Sequence, residues 1–249
     1  MRDQREGFER RWRRRFEAWG QQHGSDASIA GWSQSGLEAR LANFERLWSG
    51  RIAAGGWLDA GCGAGTYMRS LAGCGVEVVG TDYSLPSLRK ARLRLGGAAR
   101  LFASDVRALP VADGSFEGVL CFGVMQALAD PLPALRELCR VVKPGGEVWV
   151  DALNRYSAPH LVQGAWRRLR GRPMHMRYDS PWELAALLGR AGAVDVEIHW
   201  LPLVPGRWRA ARQWMGRPAV RSVLGRVPPL AALASHAVVL RGYRSLVTA

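Results

Sequence analysis

The chain has 249 residues, of which 48% are hydrophobic, so it can form one well-filled α/β domain with appendages, and wholesale disorder is excluded. It contains no run of about 18 apolar residues, no apolar stretch typical of a secretory signal at its start and no Cys-x-x-Cys pair, so we expect a cytoplasmic protein without a membrane span, a disulfide framework or a metal. The formal net charge is +14, but all except two of the 35 basic residues are arginine, which is typical of a GC-rich genome and does not by itself predict a nucleic-acid partner.

Two amphipathic helices are predicted before residue 50. The first covers residues 4–20, where Phe8, Trp12, Phe16 and Trp19 recur at helical spacing with arginines between them. The second contains the apolar positions Leu37, Leu41, Phe44 and Trp48. We interpret residues 1–50 as a helical cap. Its aromatic stripe fits three structures, which are a helix packed on the core, a lid over a substrate cleft and a helix resting on anionic lipid.

Strands and helices alternate from residue 56 onward. This spacing predicts a parallel, doubly wound sheet, with its core at residues 51–153. Strands are expected at residues 57–60, 76–81, 99–103, 118–122 and 147–152. One helix is expected to follow the first strand's loop and to end near residue 71. Two further helices are expected at residues 85–95 and 132–142.

The remaining chain divides into an insertion and a C-terminal part. Residues 154–180 are basic, contain Pro159 and Pro173 and are interpreted as an insertion that covers the substrate. Residues 181–249 are expected to complete the sheet, with a helix at 182–190 and strands at 194–200 and 236–241. Between these strands, residues 202–234 carry five prolines, which predicts short helices and turns. From Ile198 to the end there are eight arginines and no acid, so this part of the chain is strongly basic.

A glycine-rich loop follows the first predicted strand, in the order Asp59-x-Gly61-x-Gly63-x-Gly65. Glycines at this position let the backbone turn sharply and approach a ligand closely. Asp82 ends the next predicted strand, where a carboxylate can accept both hydroxyls of a ribose. The loop lacks the Lys of a P-loop, and its third glycine comes one residue early for a nicotinamide fingerprint. An acid at position 59 suits a ligand with an ammonium group, as in S-adenosylmethionine (SAM).

Four ordered motifs resemble those of the class I SAM-dependent methyltransferases, and in particular their small-molecule branch. The motifs are WLDAGCGAG (57–65), VGTDYS (79–84), ASDV with LPVADGSF (103–106 and 109–116) and LRELCRVVKPGG (135–146). The resemblance weakens before residue 48 and fades after about residue 200. It implies a Rossmann-like, mostly parallel seven-stranded sheet that binds SAM.

The resemblance also implies roles for individual residues. Gly61, Gly63 and Gly65 would form the floor under the methionine part of SAM, and Asp59 would organise that loop. Asp82 would hold the ribose hydroxyls. Tyr83, Asp105 and Val106 would contact the adenine. Phe122 and Gly123 would line the floor near the reactive methyl group. In a protein without this ligand, the glycines would only form a tight turn, and Asp105 would only cap a helix.

No motif identifies a general base for methyl transfer. The Asn/Asp-Pro-Pro-Tyr/Phe signature of many nucleic-acid amino methyltransferases is absent, and Gln126 stands where small-molecule relatives often have His. The candidates lie in the insertion, and we favour His160 because it follows the carboxyl end of the fifth predicted strand. The other candidates are Tyr156, His175 and Tyr178.

The sequence therefore predicts methyl transfer to a small-molecule or lipid-like acceptor whose reacting atom it does not identify. An RNA or protein methyltransferase and a SAM-binding protein without catalysis are the alternatives. Tryptophans beside arginines, as at Trp208 and Trp214, indicate peripheral membrane contact rather than nucleic-acid binding.

Overall fold

Seven strands alternate with helices in the computed structural model, which describes residues 2–22, 24–29, 31–48, 50, 55–171, 176–202 and 226–246. The strands are β1 (Gly56–Ala60), β2 (Glu77–Asp82), β3 (Arg100–Ala103), β4 (Phe116–Cys121), β5 (Val142–Leu153), β6 (Ala193–Leu201) and β7 (Ala237–Arg244). The helices of the described residues are α1 (Arg2–Gln22), α2 (Asp26–Ile29), α3 (Gln34–Leu47), α4 (Thr66–Gly73), α5 (Leu85–Leu95), α6 (Leu132–Val141), α7 (Ala158–Leu169), α8 (Pro181–Arg190) and α9 (Pro228–Ala234).

One sheet carries the strands in the order β3-β2-β1-β4-β5-β7-β6. The first five strands in this order are parallel, and β7 runs antiparallel to both β5 and β6. The chain leaves β1 in one direction to form β2 and β3 and later returns to the other side with β4. Loops at the carboxyl ends of β1 and β4 therefore diverge, and this crevice is where open α/β sheets bind ligands. The predicted fold class is confirmed.

The two faces of the sheet are covered by different helices. One face is packed by α6 and α8, with fully buried residues such as Leu135, Leu138 and Leu184. The opposite face is packed by α3 and α4, where Phe44 contacts the rings of Trp149 and Phe122 at centroid distances of 5.4 and 5.7 Å. Apolar side chains on both faces explain why the central strands are almost continuously apolar in sequence.

The N-terminal helices lie against the carboxyl end of the sheet. The predicted helix at residues 4–20 corresponds to α1, which packs against α5. Its aromatic stripe faces inward: Trp12 is only 5% exposed, and the ring of Phe16 contacts Tyr83 at a centroid distance of 6.2 Å. This inward orientation agrees with a helix packed on the core or with a lid over a cleft, and not with a stripe that rests on anionic lipid.

Two segments differ from their predicted structure. Strand β5 begins at Val142, directly after α6, rather than at Glu147, because residues 142–146 already extend beside β4 across a register shift. The insertion at residues 154–180, for which the sequence predicted no helix, contains α7. Of the predicted short helices at residues 202–234, only α9 lies within the described residues, and Trp208 and Trp214 lie outside them.

Candidate cofactor-binding site

A deep cleft lies at the carboxyl ends of β1, β2 and β4. It contains about 1060 Å³ of space free of protein atoms, part of which is open solvent. The glycine loop, the ends of β2 and β3 and the segment after β4 form its walls. Most of the residues predicted to hold a cofactor line this cleft, whereas Asp59 and Gly65 do not. Those that line it are Gly61, Gly63, Asp82, Tyr83, Asp105, Val106, Phe122 and Gly123.

The glycine loop turns through three residues with positive φ, which are Gly61 (86°), Gly63 (54°) and Gly65 (89°). A side chain at Gly61 would collide with Val124, and one at Gly65 would lie 2.8 Å from Leu95. At Gly63, by contrast, an added Cβ would meet nothing within 4 Å. Gly61 and Gly65 therefore permit close packing, whereas Gly63 lies beside the open space of the cleft.

Asp59 lies near the end of β1, beneath this loop, and is almost completely buried. Its Oδ2 atom has no hydrogen-bond partner in the structure, and neither has the buried hydroxyl of Tyr67. Burial, together with the negative charge of Asp82, raises the pKa of Asp59 to about 7. A buried carboxylate oxygen without a donor is costly, so this position fits a ligand that brings a positively charged donor into the cleft.

Asp82 links the end of β2 to the glycine loop. Its Oδ2 accepts a hydrogen bond from the backbone N–H of Gly63 at 3.0 Å, and its Oδ1 accepts one from that of Ser84 at 2.8 Å. Burial raises the pKa of Asp82 above its usual value. A carboxylate can accept about four hydrogen bonds, so Asp82 retains capacity for hydroxyl groups of a ligand in the cleft.

Asp105 follows the end of β3 and is already paired with two arginines. Its carboxylate forms ion pairs with Arg13 of α1 and with Arg107, whose Nη2 lies 2.7 Å from Oδ2. Arg107 also pairs with Glu9 of α1. Burial opposes the ionised form of Asp105, but the hydrogen bonds from Arg107 and the charge of Arg13 lower its pKa below the usual value. The four charged groups therefore connect α1 to the loop after β3.

Helix α1 and the segment between α2 and α3 cover the cleft. Trp12 and Phe16 approach from α1, and the hydroxyl of Tyr83 donates a hydrogen bond to the backbone oxygen of Trp12 at 3.4 Å. Trp32 lies above Gly123, where an added Cβ would lie 3.0 Å from the Trp32 ring. The cleft is thus roofed by aromatic side chains of the N-terminal residues.

A buried ion pair supports the cleft floor beside Phe122 and Gly123. The backbone N–H of Gly123 donates to Asp151 Oδ1 at 2.6 Å, and Arg40 Nε lies 3.4 Å from Asp151 Oδ2. The Arg40 guanidinium also lies over the ring of Trp32, 4.4 Å from its centroid. Arg40 therefore connects Trp32 in the roof with Asp151 of β5, which in turn holds the cleft floor at Gly123.

Sequence reasoning missed several of these groups. Arg40 lies at the buried face of α3, between Leu37 and Phe44, and a charge on an apolar helix face is the signal that could have identified it. Asp151 likewise interrupts an apolar strand. No comparable signal distinguishes Arg107 or Trp32, whose positions depend on the tertiary structure.

None of the candidate bases is among the described residues that line the cleft. The ring of His160, in the first turn of α7, stacks on that of Tyr178 at 3.6 Å, and burial lowers the pKa of His160. Tyr156 contacts Trp182, and His175 lies outside the described residues. His236, which the sequence analysis did not single out, contacts Tyr178 at 6.1 Å, and burial lowers its pKa to about 4.

Neither a cluster of metal ligands nor a membrane-spanning helix occurs among the described residues. No group of three or more His, Cys, Asp or Glu side chains within them could hold a metal ion. In the same part of the chain, no helix combines the length and the apolar composition needed to cross a membrane.

Comparison with known proteins gives a consistent result. Residues 58–150 match the family model described as a methyltransferase domain. The chain is 33% identical over 160 residues to a ubiquinone biosynthesis O-methyltransferase of Thiobacillus denitrificans, a match that covers 59% of this chain and 68% of the relative. It is 41% identical over 115 residues to a malonyl-[acyl-carrier protein] O-methyltransferase of Pseudescherichia vulneris, a match that covers 46% of this chain and less than half, 45%, of that relative.

The fold is also similar to those of solved structures. A SAM-dependent methyltransferase of Thermotoga maritima superposes with a TM-score of 0.60 at 20% identity, over 83% of this chain and 87% of that one. Identity this low shows a shared fold alone. The family model, by contrast, matches the sequence through the glycine loop and the strand ends that form the cleft.

Proposed function

Since the chain belongs to the class I SAM-dependent methyltransferases, we propose that it transfers a methyl group to an oxygen atom of a small, amphiphilic acceptor. This proposal depends on three features that occur together at one cleft. The Asp59 Oδ2 beneath it has no hydrogen-bond partner, Gly63 leaves open space beside it, and Asp82 can accept further hydrogen bonds. The names of the two relatives support oxygen as the acceptor atom.

The residues around the glycine loop fit the amino-acid and ribose parts of SAM. Asp59 would accept a hydrogen bond from the ammonium group, because its Oδ2 lacks a donor. Asp82 would hold the ribose hydroxyls, with its two backbone bonds fixing the carboxylate. Gly61, Gly63 and Gly65 would allow the backbone to approach the ligand closely.

The residues after β2 and β3 would hold the adenine. Tyr83 would pack beside the ring, and Val106 would donate its backbone N–H to it. Asp105 would accept from the adenine amino group while it shares its carboxylate with Arg13 and Arg107. The ion pairs of Asp105 would thus tie α1 to the bound nucleoside.

SAM supplies an electrophilic methyl group on a sulfonium, so the task of the protein is to align the acceptor and exclude water. Phe122 and Gly123 would line the floor near the reacting atoms, and the bond from Gly123 to Asp151 holds this floor in place. The aromatic roof from Trp12 to Trp32 would keep water out.

A phenolic or alcoholic acceptor also needs a group that takes its proton, whereas a carboxylate acceptor does not. We propose His160 as the first candidate base, followed by Tyr178 and Tyr156. Burial lowers the pKa of His160, which favours the neutral imidazole that a base must present. Its buried Nδ1 has no hydrogen-bond partner in the structure, and because His160 does not line the cleft, this role requires the acceptor to extend from the cleft towards α7.

The proposed acceptor is amphiphilic because the cleft combines aromatic and charged walls. Trp12, Phe16 and Trp32 offer apolar surface, and Arg13 and Arg107 offer donors. Peripheral contact with the membrane would give such an acceptor a route to the cleft.

The test is a methyl-transfer assay with labelled SAM against phenols with an alkyl tail, acyl carboxylates, RNA and protein substrates. We expect transfer to one of the first two classes, and none from an Asp82→Ala variant, which loses ribose binding. Loss of activity in His160→Ala with a phenol, but not with a carboxylate, would identify the base. Transfer only to RNA or protein, or tight binding of S-adenosylhomocysteine without transfer to any acceptor, would contradict the proposal.

A further inference from the structure

Helix α7 presents its apolar side to solvent. None of its described side chains is buried, and four large apolar residues are strongly exposed: Leu161 (49%), Val162 (71%), Trp166 (44%) and Leu169 (87%). At 100° per residue these four fall on one face of the helix. We call this set the α7 apolar face.

The opposite side of α7 faces the protein. His160 lies there and stacks on Tyr178, which belongs to the segment returning to the sheet. This orientation is the reverse of that expected for a helix packed on a core, where the polar side faces water. The described part of the chain therefore leaves the α7 apolar face open to an external partner.

The charges around this face indicate what covers it. From Asn154 to Tyr178 the sequence has six arginines and no acid. By helical spacing, Arg168 and Arg170 lie on opposite borders of the apolar face, and the Arg170 guanidinium stands over the Trp166 ring, 3.9 Å from its centroid. An apolar face with Trp and with arginine on both borders is the pattern of a helix that lies in the interface of an anionic membrane.

The same charges argue against two other occupants. A second copy of the chain would bring its own arginines against these, and like charges repel. The segment at residues 203–225, which lies outside the described residues, also carries arginines and no acid in its sequence. Anionic phospholipid is the occupant whose charge complements the helix.

We propose that α7 docks the protein on anionic phospholipid, with the α7 apolar face among the acyl chains and Arg168 and Arg170 at the headgroups. Four residues separate α7 from the end of β5, the strand whose Asp151 supports the cleft floor. An acceptor with an apolar tail could therefore pass between the lipid and the cleft. This inference goes beyond the proposed function, since lipid docking requires no methyl transfer.

The experiment is sedimentation of the full chain with vesicles of phosphatidylcholine alone and of phosphatidylcholine mixed with phosphatidylglycerol. We expect binding to the anionic vesicles only. A Val162→Glu/Leu169→Glu double variant should bind them about tenfold or more weakly, because burial of a single large apolar side chain contributes roughly that factor. The matched control is Leu93→Glu on α5, where the leucine is 84% exposed, and it should bind like the wild type.

Each variant is also measured for binding of S-adenosylhomocysteine, so that a folded protein with altered docking is distinguished from a misfolded one. Arg168→Gln/Arg170→Gln should lower binding to anionic vesicles severalfold and reduce its dependence on salt. Equal binding by wild type and the double glutamate variant, equal binding to both vesicle types, or no vesicle binding by the wild type would overturn the proposal. A dimer in sedimentation velocity that dissociates in the double variant would instead assign this face to a second copy.

Discussion

Helices α1 and α7 have similar compositions and opposite orientations. Both combine tryptophan with arginine, and both lie on the carboxyl side of the sheet. In α1 the aromatic residues face inward, and Trp12 is 5% exposed, whereas in α7 Trp166 is 44% exposed and Leu169 is 87% exposed. One helix roofs the cleft, and the other presents an apolar surface to its surroundings.

The difference in orientation between α1 and α7 follows from the ion pairs that each helix can form with the rest of the protein. Helix α1 carries acids as well as arginines, and Glu9 and Arg13 form ion pairs with Arg107 and Asp105 beside the cleft. Gly20 also lets α1 approach α5 closely, since a Cβ there would lie 3.0 Å from Ser84 Oγ. Helix α7 has no acid. Tryptophan and arginine alone thus do not distinguish a roof from a docking surface, but acids placed among the arginines do.

Truncation of one tryptophan in each helix provides the strongest test of this comparison. Trp12→Ala removes part of the roof, so we expect the affinity for S-adenosylhomocysteine to fall by up to about tenfold, because contact between aromatic rings contributes about 0.5–1.5 kcal/mol. Trp166→Ala should leave this affinity unchanged. Isothermal calorimetry measures both, and thermal unfolding checks that each variant is folded. Equal losses in the two variants would contradict the assignment of α1 alone to the cleft.

The pH dependence of cofactor binding tests the cleft beneath α1. Asp59 must be ionised to pair with an ammonium group, and its pKa in the free protein is about 7 because of burial and the charge of Asp82. As the pH falls below 7, binding must first remove a proton from Asp59, so the affinity decreases, by about tenfold per pH unit well below the pKa. Calorimetry between pH 8 and pH 6 should show this decrease.

An Asp59→Asn variant is the control for that experiment. It should bind S-adenosylhomocysteine more weakly at pH 8, but with little further loss at pH 6. The α7 double glutamate variant should retain the pH dependence of the wild type. A wild-type affinity that does not change with pH would show that Asp59 is not the group that meets the ligand.

Much of the core could be predicted because its signals are local in sequence. The helix at residues 85–95 has the predicted bounds, and Asp59, Asp82 and Asp105 lie at or just after strand ends, which meet at one edge of a parallel sheet. Helix α7 was not predicted, because Pro159 contributed to the interpretation of residues 154–180 as an insertion without a regular strand or helix pattern. Pro159 lies instead in the first turn, after the Ser157 cap, where proline leaves no helical hydrogen bond unmade.

The rest of the site depends on contacts between distant parts of the chain. Arg40 and Asp151 are 111 residues apart, and neither residue alone indicates the other. The pairing of Asp105 with Arg13 likewise depends on the docking of α1. Sequence motifs therefore located most residues along the glycine-loop side of the cleft, but not the groups that roof it or support its floor.

The smallest expected effect concerns the ion pair between Arg13 and Asp105. Arg13 is about half exposed, so its ion pair contributes at most about 1 kcal/mol. Arg13→Met should therefore raise the dissociation rate of S-adenosylhomocysteine by no more than about fivefold, because α1 is held less firmly over the cleft. Arg14→Met, on the exposed side of α1, and Arg168→Met, on α7, remove the same charge and should leave the rate unchanged. Stopped-flow displacement measures all three, and the effect of Arg13→Met should shrink at high salt. If all three variants changed the rate equally, net charge rather than this ion pair would control release, and the distinction between α1 and α7 would lose its electrostatic basis.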